Sequence, residues 1–125
     1  MRHQVRGFTL IELIVVLAIL AALASLAWPR YVGQLDNTND VILRENLRLV
    51  RHSLDKFHED QARFPDSLQE LVDRRYIRAL PIDPLTGRSD TWQLVPPPVG
   101  EKGQVGDIKS GANGVSRWGI AYADL

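Results

Sequence analysis

Residues 8–28, "FTLIELIVVLAILAALASLAW", form a run of 21 residues that holds a single charge, Glu12. As a helix rising 1.5 Å per residue the run would be about 31 Å long, the thickness of a bilayer's hydrocarbon core. A helix apolar on every side has no face to present to water, so it must lie in lipid or be wrapped by other protein. Glu12 makes the run unusual. A carboxylate at the centre of a membrane helix costs on the order of 2.5–3.5 kcal/mol even on lenient insertion scales. Such a group is by default functional and needs a partner.

The seven residues ahead of the run, "MRHQVRG", carry Arg2 and Arg6 and no acid. Basic flanks stay on the cytoplasmic side, which predicts a cytoplasmic N-terminus and an exported remainder after Trp28. Trp28 and Tyr31 then fall where interfacial aromatics are expected. Beyond Pro29 the pattern stays helical. Leu43, Leu47, Val50, Leu54 and Phe57 are spaced 4, 3, 4 and 3 apart, one apolar stripe. Asp40, Arg44, Glu45, Arg48, Arg51 and Asp55 are expected mostly off the stripe, on a solvated side. The spacing therefore predicts one helix over about residues 8–60. Pro29 and Gly33 mark a weak point in it, because proline deprives the carbonyl near Ser25 of its helical partner and glycine adds backbone freedom.

Phe64-Pro65 ends this helix. Asp66 or Ser67 can cap a second one over 67–76, with Glu70 placed to complete a capping box on Ser67. Leu68, Leu71 and Val72 give it a face to pack on the long helix. "LPIDPLTGRSD" (80–90) reads as a loop, "TWQLV" (91–95) and "QVGDIK" (104–109) as short strands, and "RWGIAYADL" (117–125) as a third. The predicted fold is α+β: a long N-terminal helical spine, transmembrane in its first half, with a small head of one short helix and a two- or three-stranded antiparallel sheet. The organisation is a basic leader (1–7), a membrane or filament-core helix (8–28) and a head that includes the amphipathic half of the helix (29–125).

Composition narrows the function. Fifteen basic residues balance fifteen acidic ones, which leaves no basic face for nucleic acid, and the absence of cysteine removes disulfides and thiolate metal sites. Beyond the leader and the apolar run 97 residues remain, near the size where a core becomes marginal. Catalytic patterns are weak. His52 and His58 are six residues apart and point to different sides of a helix, so they cannot share a metal. His52, Asp55 and Glu59 share a side, as solvated helix polarity does. Ser110 lies in no nucleophile-elbow pattern, and Gly100, Gly103 and Gly106 form no phosphate loop. The chain is not expected to be an enzyme.

Three readings compete for residues 1–28. A plain anchor leaves Glu12 unexplained. A secretory signal peptide, with a small-x-small site at Ala22-Leu23-Ala24, should have an apolar core of roughly 7–15 residues followed by a polar stretch. The third reading removes only the leader. A cut between Gly7 and Phe8 creates an α-amino group four residues from Glu12, so the terminus of one subunit can neutralise the carboxylate of another.

"GFTLIEL" (7–13) resembles the class III signal of type IV pilins and pseudopilins: a Gly at the cut, a Phe after it and a Glu four residues on. Pro29, 21 residues after Phe8, matches the proline at which the helix of such proteins bends or melts in filaments. "RFPDSLQELVDRRYIRALPIDPLTG" (63–87) and "GDIKSGANG" (106–114) resemble the major pseudopilin of type II secretion, the G subunit. The resemblance implies cleavage between Gly7 and Phe8 by a prepilin peptidase, with N-methylation of Phe8. It implies self-association into a filament, with other pseudopilins and with an inner-membrane assembly platform and ATPase as partners. Glu12 and Pro29 would serve assembly. The chain would begin in the inner membrane, head in the periplasm, and end in a pseudopilus that drives export across the outer membrane. The alternatives are a minor pseudopilin, a type IV pilus subunit, or a single-pass periplasmic binding module that does not polymerise. The G subunit typically binds calcium through clustered acids in its C-terminal loop. Residues 106–125 here hold only Asp107 and Asp124, with Asn113 near the turn. Asn113, Asp124 and loop carbonyls are the calcium candidates, against a turn closed by hydrogen bonds alone.

Overall fold

A computed structural model describes residues 6–125, with the side chains of residues 30–35 left out. Most of the expected leader (residues 1–5, Arg2 included) and the Tyr31 side chain lie outside the described residues. Helix α1 runs Leu10–Gln61 and contains Pro29. The chain divides into two units, one ending at Leu35 and the other running Asp36–Leu125, and α1 contributes to both.

In the first unit, the stretch Leu10–Pro29 is long and apolar enough to cross a membrane, and none of it is buried. Its large apolar side chains, from Leu10 and Ile11 through Leu26 and Trp28, are exposed around the whole helix. Besides Glu12, Ser25 is the polar residue of this stretch. Its hydroxyl donates to the Ala22 carbonyl at 2.8 Å, which satisfies it within the helix.

In the second unit the stripe behaves as its spacing requires. Leu43, Leu47, Val50, Leu54 and Phe57 are all buried, and they form the core with Leu68, Leu71, Ile77, Trp92, Val105 and Ile108. Truncating such a core leucine to alanine costs about 2–5 kcal/mol. Trp92 buries its ring and donates its indole N–H to the Pro81 carbonyl at 2.9 Å, so burial strands no donor.

α1 stops at Gln61 because Ala62 turns to a positive φ of 53°, its N–H still bonded to the His58 carbonyl. Phe64-Pro65 then leads into α2, Leu68–Asp73, shorter than the expected 67–76. Ser67 is the cap, its side chain accepting from the Glu70 N–H. Glu70 returns its carboxylate to the N–H of Asp66 at 2.9 Å and not to that of Ser67, so the expected box closes one residue early. The same carboxylate binds Arg63, and this bond above all holds Glu70 below the usual glutamate range. α2 ends after six residues because Arg75 takes a φ of 64° and the N–H groups of Tyr76 and Ile77 return to the Leu71 carbonyl.

The sheet has two strands, β1 (Gln93–Val95) and β2 (Asp107–Lys109), antiparallel with Leu94 opposite Ile108. The third strand expected at 117–125 does not form. That segment spends its backbone groups on itself: Ser116 N–H bonds the Ile120 carbonyl, Tyr122 N–H the Gly114 carbonyl, and Tyr122–Asp124 coil as a 3₁₀ turn.

The connection from β1 to β2 is tied to the Phe64-Pro65 corner. The Phe64 N–H donates to the Lys102 carbonyl at 2.7 Å, and the Gln104 and Val105 N–H groups both donate to the Pro65 carbonyl at 3.0 Å. Gly103 lies between them with a φ of +113°, and a methyl group there would overlap the Phe64 carbonyl. Gly103→Ala combines a steric clash with a left-handed backbone that L-residues avoid, a penalty of about 1–3 kcal/mol from overpacking alone. Thermal unfolding of the detergent-solubilised chain should show the variant melting several degrees lower than the parent. Equal melting temperatures would show that the corner yields.

Candidate processing and assembly site

Residues 6–9 precede the helix without regular structure, and Thr9 caps it. The Thr9 hydroxyl accepts from the Glu12 N–H at 3.3 Å, and the Thr9 carbonyl accepts from the Leu13 N–H at 3.2 Å. Glu12 thus sits in the first turn of α1. There the unpaired N–H groups and the helix dipole favour a negative charge. Thr9 to Glu12 reads T-x-x-E, a capping-box pattern, a local signal that lies inside the stronger apolar one.

Arg6, Gly7, Phe8 and Glu12 line one cleft of about 380 Å³. The three candidate residues of the processing motif are therefore brought together, with Arg6 beside them. Phe8 is 85 % exposed, and the space around Gly7 is open to 4 Å where a side chain would project. Pro29 lies within α1, and the helix is continuous through it.

A second polar cluster involves residues expected to be solvated. Asp40 is 3 % exposed, not solvated. One carboxylate oxygen accepts the Arg117 N–H at 2.6 Å and the other accepts the Tyr122 hydroxyl at 2.8 Å. The signal was present in the sequence, since Asp40 precedes Leu43 by three and so continues the apolar stripe. Arg51 likewise turns inward. Its Nε donates to Asp107 at 2.8 Å, and its Nη2 donates to the Leu125 and Ile108 carbonyls at 2.8 and 3.2 Å. Ser110, read as non-catalytic, is buried and donates to the buried Asp83 at 2.6 Å, which also accepts the Leu85 N–H.

A prokaryotic N-terminal methylation motif matches residues 2–28. Along its length the chain is 34 % identical to the type II secretion system core protein G of Klebsiella michiganensis, over 91 % of this chain and 88 % of the relative. It is 34 % identical to that of Klebsiella pneumoniae (88 % and 86 % covered) and 29 % identical to that of Pseudomonas aeruginosa (90 % and 87 %). No solved structure matches it. The chain belongs to the type II secretion system core protein G family. It is accordingly a pseudopilin, a structural protein and not an enzyme, with an N-terminal helix suited to membrane anchoring.

The core protein G resemblance implies calcium in the C-terminal loop, and the residues present do not fit it. A calcium ion takes six to eight oxygens, several of them from carboxylates. Asn113 and Asp124 are both exposed, and the Asp107 carboxylate is already engaged by Arg51 and the Ile108 N–H. Among the described residues no three His, Asp or Glu side chains are placed to hold a metal.

The hydrogen bond to Asp40, with lesser contributions from burial and the charges of Asp40 and Asp36, holds the Tyr122 hydroxyl above the usual tyrosine value. The protonated phenol is the donor, so this contribution to stability is complete below the ordinary value of 10.0 and is lost as pH rises through the higher, folded value. An ultraviolet-difference titration should show one of the three tyrosines ionising late. That late step should vanish in Tyr122→Phe; its survival there would mean another tyrosine is responsible.

Proposed function

We propose that the chain is a structural subunit of a type II secretion pseudopilus. It is held in the inner membrane with its N-terminus cytoplasmic and its head periplasmic. A prepilin peptidase cuts it between Gly7 and Phe8, and the assembly platform and ATPase then add it to a helical filament with further copies and other pseudopilins. That filament drives protein export across the outer membrane. The observation that carries the reading is the cleft shared by Arg6, Gly7, Phe8 and Glu12 at the start of an apolar helix that this chain leaves uncovered.

Hydrolysis of the Gly7–Phe8 amide adds one water, ends the leader in a carboxylate and starts the mature chain with an ammonium group on Phe8. Before the cut the cleft is lined by the Arg6 side chain. After the cut Arg6 is gone, and the new cation lies four residues from Glu12. In a filament the Phe8 amine of one subunit neutralises the Glu12 carboxylate of a neighbour, and N-methylation leaves that positive charge in place. Ala18, Ala21, Ala22 and Ala24 suit close packing of the helices in the filament core. Pro29 is the point at which α1 bends or unwinds as subunits leave the bilayer. Hydrogen exchange across residues 25–33 reads this directly, since protection equal to that of 43–57 in both membrane and filament would leave Pro29 a passive residue.

Mass spectrometry of the protein from cells with and without prepilin peptidase tests the reading. The expected mature chain begins at Phe8 and carries one added methyl group; in the peptidase-deficient strain Met1 to Gly7 are retained. A chain starting at Ser25, or an uncut chain in both strains, would overturn it. Glu12→Ala should insert and be processed as the parent is, because it makes the segment more apolar, yet cross-linking through the helix surface should no longer yield ladders. Normal ladders from this variant would show that Glu12 serves only the helix start.

A further inference from the structure

Segment 107–125 contains β2, the turn at 116–119 and the 3₁₀ turn Tyr122–Asp124, and little apolar side-chain burial holds it. Ile108 is its single buried hydrophobic residue among those described; Tyr122 and Leu125 pack half-buried against the core, and Val115 and Ile120 are exposed. Polar contacts therefore carry much of its fixing. They come from α1.

We propose that Asp40 and Arg51 of α1 close this segment in place of a cation, so that the head folds and keeps its C-terminal loop without calcium. A calcium ion orders such a loop by drawing carbonyl and carboxylate oxygens around one positive charge. The Arg51 guanidinium does the same work with a covalently held charge. It collects one Asp107 carboxylate oxygen, the Ile108 carbonyl and the Leu125 carbonyl, with three contacts between 2.8 and 3.2 Å. Its planar fork suits this task because its donors are fixed relative to each other. Asp40 supplies the opposite charge. Where a calcium loop would turn its carboxylates inward onto the metal, this loop turns donors inward onto a carboxylate, the Arg117 N–H and the Tyr122 hydroxyl. Both Asp40 oxygens are used, and hydrogen bonds to an ionised acceptor are about twice as strong as neutral ones.

The two clasps act at different places. Arg51 ties β2 to Leu125, whereas Asp40 ties the 116–119 turn and the 3₁₀ turn to the helix. Asp40 also occupies the end of the core stripe nearest residue 36, so the loop reports whether α1 is intact at that end. The inference rests on this cluster and is independent of filament assembly.

The test uses the full chain in detergent. Its melting temperature should differ by less than about 1 °C between millimolar calcium and excess chelator, since a ligand that does not bind the folded state cannot shift it. Amide exchange at residues 113–125 should be equally unaffected. Tyr122→Phe removes one hydroxyl and Asp40→Asn removes the charge. Each should speed exchange at Arg117 and Tyr122 by about threefold to tenfold, the range expected for one hydrogen bond, with helix content unchanged. Arg51→Lys keeps the charge but loses the fork, and should speed exchange at Ile108 and its neighbours. A calcium-dependent rise of several degrees in the parent, or calcium-dependent protection of 113–125, overturns the proposal. So does parent-like exchange in Tyr122→Phe, a variant too mild to unfold the head.

Discussion

α1 carries apolar surface along two stretches, and this chain covers only one of them. From Leu43 to Phe57 the apolar side chains fall on one stripe, and α2, the two strands and their loops bury it. From Leu10 to Pro29 they encircle the helix, and none of that stretch is buried among the described residues. At about 25 cal/mol per Å² of apolar area removed from water, an uncovered stretch of that length cannot be left in solvent. Lipid covers it first; in the filament reading, copies of itself cover it later. Either cover must accept a helix apolar on all sides, which explains why the stretch is built from interchangeable aliphatic and small residues.

The covered half faces the opposite problem, because its core is small. The sheet consists of two strands of three residues each, too little ladder to hold a domain by itself. The loops are fixed by side chains reaching across the head. Glu70 joins Arg63 to the Asp66 N–H, Asp83 gathers Ser110 and the Leu85 N–H, and Asp40 and Arg51 hold the 107–125 segment. Gly103 lets one loop press against the Phe64-Pro65 corner at a distance no side chain permits. A head of this kind depends on individual polar contacts more than a large core would, since each contact fixes backbone that little apolar burial holds.

What was legible in the sequence follows from this division. Periodicity is a property of helices with one buried face, so Leu43, Leu47, Val50, Leu54 and Phe57 were readable as core, and the apolar run was readable by length. The cap at Ser67 was readable from local chemistry. The contacts that organise the loops were not, because they join residues far apart in sequence. Asp40 bonds Arg117 and Tyr122 across 77 and 82 positions. Its type suggested solvent, although its place in the stripe pointed inward; position outweighed residue type. The segment 117–125 alternates enough to suggest a strand, but Gly119, at a φ of +75°, allows the chain to fold back on itself before it can pair with β2. The cap at Thr9 and Glu12 is hidden for the converse reason, since its local pattern lies within a much stronger apolar run.

Two carboxylates on one helix show how differently such a group can be accommodated. Asp40 is buried with both oxygens bonded inside its own chain, so its charge is spent on the fold. Glu12 is exposed, and among the described residues its carboxylate accepts no hydrogen bond; its backbone N–H donates to the Thr9 hydroxyl. The first turn of a helix eases its charge by roughly 0.3–1 kcal/mol but gives the carboxylate no bonded partner. Such a partner would come from outside the described residues. In the proposed assembly, the cation that cleavage would create at Phe8 of a neighbouring subunit has the right sign to be that partner. Under the proposed function Glu12 would be costly in a lone subunit and neutral in an assembled one, which would bias the chain toward assembly without any change in the folded head.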